Sequence, residues 1–205
     1  MSQAVSRRTI LCIGNGDVSA RPLVSEALPD YELVFAVSAC EAIRSMNAQA
    51  FDGYVTDFWL PDWEGIQLCR AIREIDPNCP VIVYSAAAGE RNLARATRAG
   101  ASACVAIDEP DLLETTLRTL LSAADSKSLD AKALMEEAVA AELARCAERS
   151  SGAGMAPLAD SFVERRARSR AHKAFVAAGG SRAHFERWWP QVFGSARANH
   201  GVAFA

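Results

Sequence analysis

The sequence predicts an α/β protein, with a five-stranded parallel sheet covered by helices on both faces and a small all-helical region after it. Two observations carry this. Between Thr9 and Ser122, short apolar runs alternate with segments of helical periodicity. Beyond Leu121 every patterned stretch is helical, and the charge changes sign toward the C-terminus.

The apolar runs are TILCI, YELVFAV, DGYVTD, PVIVYS and ASACVAI, each too short for a helix and bounded by turn residues. The helical segments between them span Ser19–Leu28, Ala39–Ala48, Glu64–Glu74 and Glu90–Ala99. A fifth, Pro110–Leu121, sets Leu113, Leu117 and Leu121 four apart on one face. Pro80 opens a strand, and Pro110 suits a first helical turn. In such a sheet chemistry collects beyond the carboxyl ends of the strands, which directs attention to Gly14–Asp17, Asp57–Trp59, Ser85–Ala87 and Ile107–Asp108.

Half of the 205 residues are hydrophobic and 23% are charged, as in an ordinary globular protein. No apolar run approaches the roughly 18–20 residues that span a bilayer. The N-terminal apolar run is cut short by Gly14, Asn15, Gly16 and Asp17, so the expectation is a cytoplasmic protein without a signal peptide. Six cysteines stand singly with no CxxC pair, which argues against zinc knuckles and disulfide frameworks; Cys12, Cys69 and Cys104 read as small core residues. Residues 1–125 hold 10 basic and 17 acidic side chains, residues 126–150 hold 4 and 5, and residues 151–205 hold 8 and 3. The expected organisation is a domain over 7–124, a connecting helix over 125–150 and a basic, partly flexible helical tail over 151–205.

The turn after the first strand, ILCIGNGD, allows two readings. Gly14 and Gly16 fit the first positions of a dinucleotide cradle, Ser19 takes the third, and Glu41 is the nearest acid for a ribose. The stretch FDGYVTDFWLPDWEGIQLCRAIREIDPNCPVIVYSA favours the other reading, because it resembles the phosphoacceptor region of response-regulator receiver domains. Asp57 ends the third strand, the loop FWLPDWEG follows, and an amphipathic helix leads to a Pro-x-Ile-x-x-Ser strand and then to AGASACVAI. The resemblance runs from about Arg8 to Leu121 and implies a flavodoxin-like strand order 2-1-3-4-5.

It also implies a site. In the family a strand-end carboxylate attacks a donor phosphorus and a magnesium ion neutralises the gathered charge. Carried over by position, Asp57 is the phosphoacceptor, Ser85 the phosphate-switch hydroxyl, and Asp57, Asn15 and the Trp59 backbone carbonyl the metal ligands. Gly14 and Asn15 stand where the family has an acidic pair, Ile107 replaces its lysine, and Cys104 replaces its switch aromatic. Asp17 lies two residues beyond the pair. The expectation is therefore an atypical receiver in a phosphorelay, not an enzyme, with Mg²⁺ weakly held and Asp57 an inefficient or vestigial phosphoacceptor. A histidine kinase or another signalling protein is the implied partner.

In the second region a helix is expected over about Leu129–Glu148, after a small polar stretch SAADSKSLD read as a linker or helix boundary. Its stripe of Met135, Val139 and Leu143 must pack on the first domain, on the tail or across a homodimer seam. RSSGAGMAPLADS reads as a flexible connection. A basic helix with Arg165, Arg166, Arg168, Arg170 and Lys173 follows, capped at Gly179–Gly180. A last helix starts after Ser181, stops near Pro190, and carries Phe185, Trp188 and Trp189. The alternative function is a DNA-binding transcriptional regulator acting through these basic helices, whose run of charge otherwise reads as a solvated face.

Overall fold

The computed structural model describes residues 7–14, 20–86, 89–150 and 159–200. Asn15, Gly16, Asp17, Ser19, Ala87 and the connection around Pro157 lie outside them. The chain divides into two compact units, Met1–Ala124 and Asp125–Ala205.

In the first unit the strands are β1 (Thr9–Ile13), β2 (Glu32–Ala36), β3 (Gly53–Thr56), β4 (Val81–Ser85) and β5 (Ala103–Ala106). They form one sheet in the order β2-β1-β3-β4-β5, and every pairing is parallel. The helices between them are α1 (Ala20–Ala27), α2 (Ala39–Ala48), α3 (Gly65–Ile75) and α4 (Glu90–Arg98). This is the doubly wound, flavodoxin-like arrangement, and its cause is the two-residue alternation along each strand. Leu11 and Ile13 join Tyr54, Val81, Val83 and residues of α2, α3 and α4 in one apolar layer. Ile10 and Cys12 point the other way and join Val55, Ile82, Tyr84, Val105, Leu113 and Leu117. Cys12 and Cys69 are buried as expected, and burial pushes their thiols up to about 12 and about 11.

The end of α4 shows how local chemistry shapes the unit. Gly100 has φ 102°, and the amides of Gly100 and Ala101 return to Thr97 and Ala96 carbonyls, which closes α4. The Arg73 side chain lies across Gly100, with its Nε donating to the Gly100 carbonyl at 2.7 Å. A Cβ at Gly100 would stand 2.7 Å from Arg73 Cγ, so a larger residue is excluded twice.

The last helices are α5 (Pro110–Ser150), α6 (Asp160–Ala177) and α7 (Arg182–His200). No helix end falls at SAADSKSLD, because α5 runs unbroken for 41 residues, although the division between the two units lies within that stretch. That stretch holds no glycine or proline, and Ser128, fully buried, accepts the Ser181 amide at 3.1 Å. The stripe Met135, Val139 and Leu143 is buried with Val163, Phe175, Phe185 and Trp189 inside the second unit, not at a dimer seam. Gly179, with φ 95°, ends α6; the amides of Gly179 and Gly180 reach the carbonyls of Val176 and Phe175. Pro190 does not end α7 but lies inside it. The proline costs the Glu186 carbonyl its helical amide; Phe185 and Trp189 before it and Val192 after it bury into one cluster, which offsets that loss. No helix among the described residues is long and apolar enough to cross a membrane.

Candidate functional site

Parallel strands ending at one level bring Gly14, Val37, Asp57, Ser85 and Ile107 to the same edge of the sheet. Asp57 follows β3, and its amide donates to the Ile13 carbonyl at 2.9 Å, which fixes the residue beside β1. Its Oδ1 accepts two hydrogen bonds, from the Phe58 amide at 2.6 Å and from Ser85 Oγ at 2.7 Å. Ser85 is 3% exposed and its hydroxyl donates to Asp57, which is itself only half-buried.

The loop after Asp57 is held from several sides. The Gly65 amide donates to the Phe58 carbonyl at 2.8 Å, and that of Leu60 to the Trp63 carbonyl at 3.0 Å. A Cβ at Gly65 would fall 2.0 Å from the Asp57 carbonyl oxygen, so only glycine lets α3 start this close to the site. Glu64 caps α3 with Gln67. Its carboxylate also pairs with Arg95 of α4 at 2.9 Å, and the Arg95 guanidinium lies 5.2 Å from the Phe58 ring centroid. Asp62 accepts the amides of Ala39 at 2.9 Å and Cys40 at 3.0 Å and so caps α2 from a distance in sequence. Desolvation acts to raise the Asp62 carboxyl, but the amides of Cys40 and Ala39, helped by the Cys40 thiol and the amide of Asp62 itself, outweigh it and hold the group below the ordinary carboxylate range. Trp59 and Trp63 stand out of this braced loop, 51% and 38% exposed.

On the other side of Asp57 the structure places apolar groups. A pocket lined by Cys12, Val24, Phe35, Val55 and Ile107 reaches Gly14 and Asp57. Nothing lies within 4 Å of where a Gly14 side chain would begin. Ile107 offers its backbone carbonyl to the Tyr84 hydroxyl at 2.8 Å and brings no charge. The one cation lining this pocket among the described residues is Arg21, whose guanidinium lies 4.7 Å from the Phe35 ring centroid. Cys104 sits in β5, half-buried, opposite Val83. Asn15 and Asp17 lie outside the described residues.

Glu41, the acid a dinucleotide site would need, is otherwise employed: its Oε2 accepts the Val37 amide at 2.8 Å beside the start of α2. Asp57 and Ser85 are therefore the sequence-derived side chains that the structure brings into contact. The Asp62 cap, the Glu64–Arg95 pair and Arg21 escaped the sequence reading. The signal for the first two was present in DWE, three polar and aromatic residues just before an amphipathic helix.

Residues 17–118 match the response regulator receiver domain family. The transcriptional regulatory protein PrrA of Mycobacterium tuberculosis is 30% identical over 96 residues, 47% of this chain and 41% of that protein. The transcriptional regulatory protein GlrR of Escherichia coli is 30% identical over 70 residues, 34% of this chain and 16% of its own length. The chain thus spans less than half of either curated relative. A CheY-like receiver domain from Methanospirillum hungatei superposes with a TM-score of 0.51 at 27% identity, covering 56% of this chain and 94% of the other. With the strand order, the strand-end aspartate and this match together, the first unit of the chain belongs to the response regulator receiver family.

Proposed function

We propose that this receiver relays a signal through protein–protein contacts, with a histidine kinase or another signalling protein as partner, and that Asp57 is an inefficient or vestigial phosphoacceptor. The observation that carries the reading is the direct Ser85–Asp57 hydrogen bond of 2.7 Å. Ser85 already donates to one oxygen of the carboxylate that a phosphoryl group would join, so phosphorylation would have to proceed at the other oxygen or displace this part-buried contact.

The donor set supports the same conclusion. Mg²⁺, the cofactor the family implies, asks for several hard oxygen ligands in an octahedron. Asp57 can give a carboxylate and Trp59 a carbonyl, but Gly14 has no side chain to give. Among the described residues no three His, Cys, Asp or Glu side chains gather in a metal-binding group. The described residues do not fit a firmly held dication. Ile107 also leaves the developing phosphoryl charge without a cation, where one well-placed charge is worth a few kcal/mol.

The alternative, a regulator that reads duplex DNA with its last two helices, finds less support. Phe185 and Trp189 of α7 are buried, and Arg166, Arg168 and Arg170 of α6 are engaged by Glu142 and Glu186. The basic run is a partly solvated face, as the sequence suggested, with three of its arginines held in ion pairs.

Incubation with acetyl phosphate and magnesium, followed by intact mass measurement, tests the proposal. Little or no added phosphate is expected. Rapid stoichiometric labelling that Asp57→Asn abolishes would overturn it.

A further inference from the structure

Among the described residues of the second unit one carboxylate, Glu142 of α5, is fully buried, and three guanidiniums converge on it. Arg166 Nε lies 2.7 Å from Oε1, Arg170 Nε 2.7 Å and Arg145 Nη2 3.2 Å from Oε2. One negative charge cannot neutralise three positive ones. Arg166 and Arg170 also meet Glu142 through Nε, which leaves the paired Nη donors of each fork for something else. These arginines remain between 37% and 50% exposed, so the surplus charge faces water.

Next to Glu142 is a pocket of about 160 Å³, lined by Arg145, Arg149, Arg166, Phe162 and Glu148 among others. Phe162, half-buried, has the guanidiniums of Arg165 and Arg166 at 5.9 and 5.7 Å from its ring centroid. Arg149 and Arg165 take no part in the Glu142 ion pairs. Arg145, Arg149 and Arg166 thus line the pocket with Glu142, Glu148 and the half-buried Phe162, while Arg170 reaches Glu142 and Arg165 reaches the Phe162 ring.

We propose that this pocket is a binding site for single-stranded nucleic acid, with the arginine forks taking backbone phosphates and Phe162 taking the face of a base. The buried Glu142 orders two of the forks in advance, which removes much of the side-chain entropy cost of gripping a phosphate. Arginine forks match two phosphate oxygens at once. An aromatic beside them is useful to a strand whose bases are unpaired and of little use to a duplex whose bases are stacked inside. The site is independent of Asp57, so its failure would leave the reading of the first unit untouched.

The test uses the full chain and short fluorescein-labelled single-stranded oligonucleotides of random sequence, followed by anisotropy. Saturable binding is expected at about 50 mM salt, with affinity falling steeply by about 200 mM as counterions are released. Arg149→Gln with Arg165→Gln should weaken binding about tenfold and flatten the salt slope by about one unit. Phe162→Leu keeps the apolar volume and should weaken the single strand about fivefold or more, while leaving heparin binding unchanged. None of these changes removes a Glu142 partner, and circular dichroism melts will show that the variants fold. Absence of saturable binding at the lower salt overturns the proposal, as does wild-type affinity in the double arginine variant. Equal competition by duplex or heparin, with no effect of Phe162→Leu, would mark a surface that senses charge alone and would also overturn it.

Discussion

The two units solve the problem of polar groups in different ways. In the receiver unit the sheet satisfies its own backbone, the two faces of each strand bury apolar side chains, and the polar groups of the candidate site gather where the strands stop, while Asp52 and Asp76 are buried in the segments that lead into β3 and β4. The Asp57–Ser85 contact and the Glu64–Arg95 pair both lie at that edge. In the helical unit polar groups are part of the interior. Glu142 is fully buried among arginines, and Ser181, 2% exposed, and His184, 7% exposed, are hydrogen-bonded to each other at 2.7 Å, with Asp125 2.9 Å beyond the imidazole. Residue type alone therefore does not report location in either unit: in the first, Asp57 marks the functional edge while Asp52 and Asp76 are buried away from it, and in the second Glu142 is a central strut.

The largest expected effect probes the aromatic interior of the helical unit. Phe185 is fully buried and packs on Phe175 at 5.9 Å and on Trp189 at 5.6 Å. Phe185→Ala should cost about 3–5 kcal/mol by removing apolar contact and leaving a cavity. Hydrogen exchange should then rise in α6 and α7 and stay slow in β1, β3 and β4, whose amides are held by the sheet. Equal loss of protection in both units would show that they unfold as one.

A sharper comparison sets the two ion pairs against each other. Glu64 and Arg95 are each about one-third exposed, so Glu64→Gln should cost only about 0.2–1 kcal/mol. Glu142 is fully buried, but its arginines are half in water, which screens the charge left behind. Its Oε2 has guanidiniums near it without a well-aligned hydrogen bond. Glu142→Gln should therefore cost about 1–3 kcal/mol, less than breaking a wholly buried pair. Urea denaturation of both variants measures the difference, and equal losses would refute the assignment of Glu142 as a strut.

Much of the receiver could be read in advance because its signals repeat. Five short apolar runs separated by helices leave few topologies, and the strand ends then select Asp57 and Ser85. Ser85 engaging Asp57 directly could not be read, since residue types do not say which way a hydroxyl turns. Asp62 reaching α2 was equally hidden, because the cap and the helix it serves are 23 residues apart. In the second unit the failures share a cause. Glu142 stands in an Ala- and Glu-rich helix where glutamate usually faces water, and Pro190 carries a strong stop signal. Both are overruled by tertiary packing that acts between helices distant in sequence. The continuity of α5 is different: SAADSKSLD has the composition of a loop but contains nothing that breaks a helix.

The smallest effect concerns pH. The Asp62 carboxyl is held below its ordinary value of 3.8 in the folded protein, so folding favours its ionised form. A group depressed in this way adds stability that is complete above the unfolded value and disappears as pH falls through the folded one. The difference in melting temperature between the wild type and Asp62→Asn should therefore be constant at neutral pH and shrink below about pH 4. Because Asp62 bonds the amides of Ala39 and Cys40, the loss should show first as fraying at the start of α2, visible in those two amide resonances. Glu142→Gln gives the matching control from the other unit: it should leave the pH response of those resonances unchanged. A pH response that Asp62→Asn also leaves unchanged would place its origin elsewhere on the acidic edge of the sheet, and the cap would then be a contact without energetic weight.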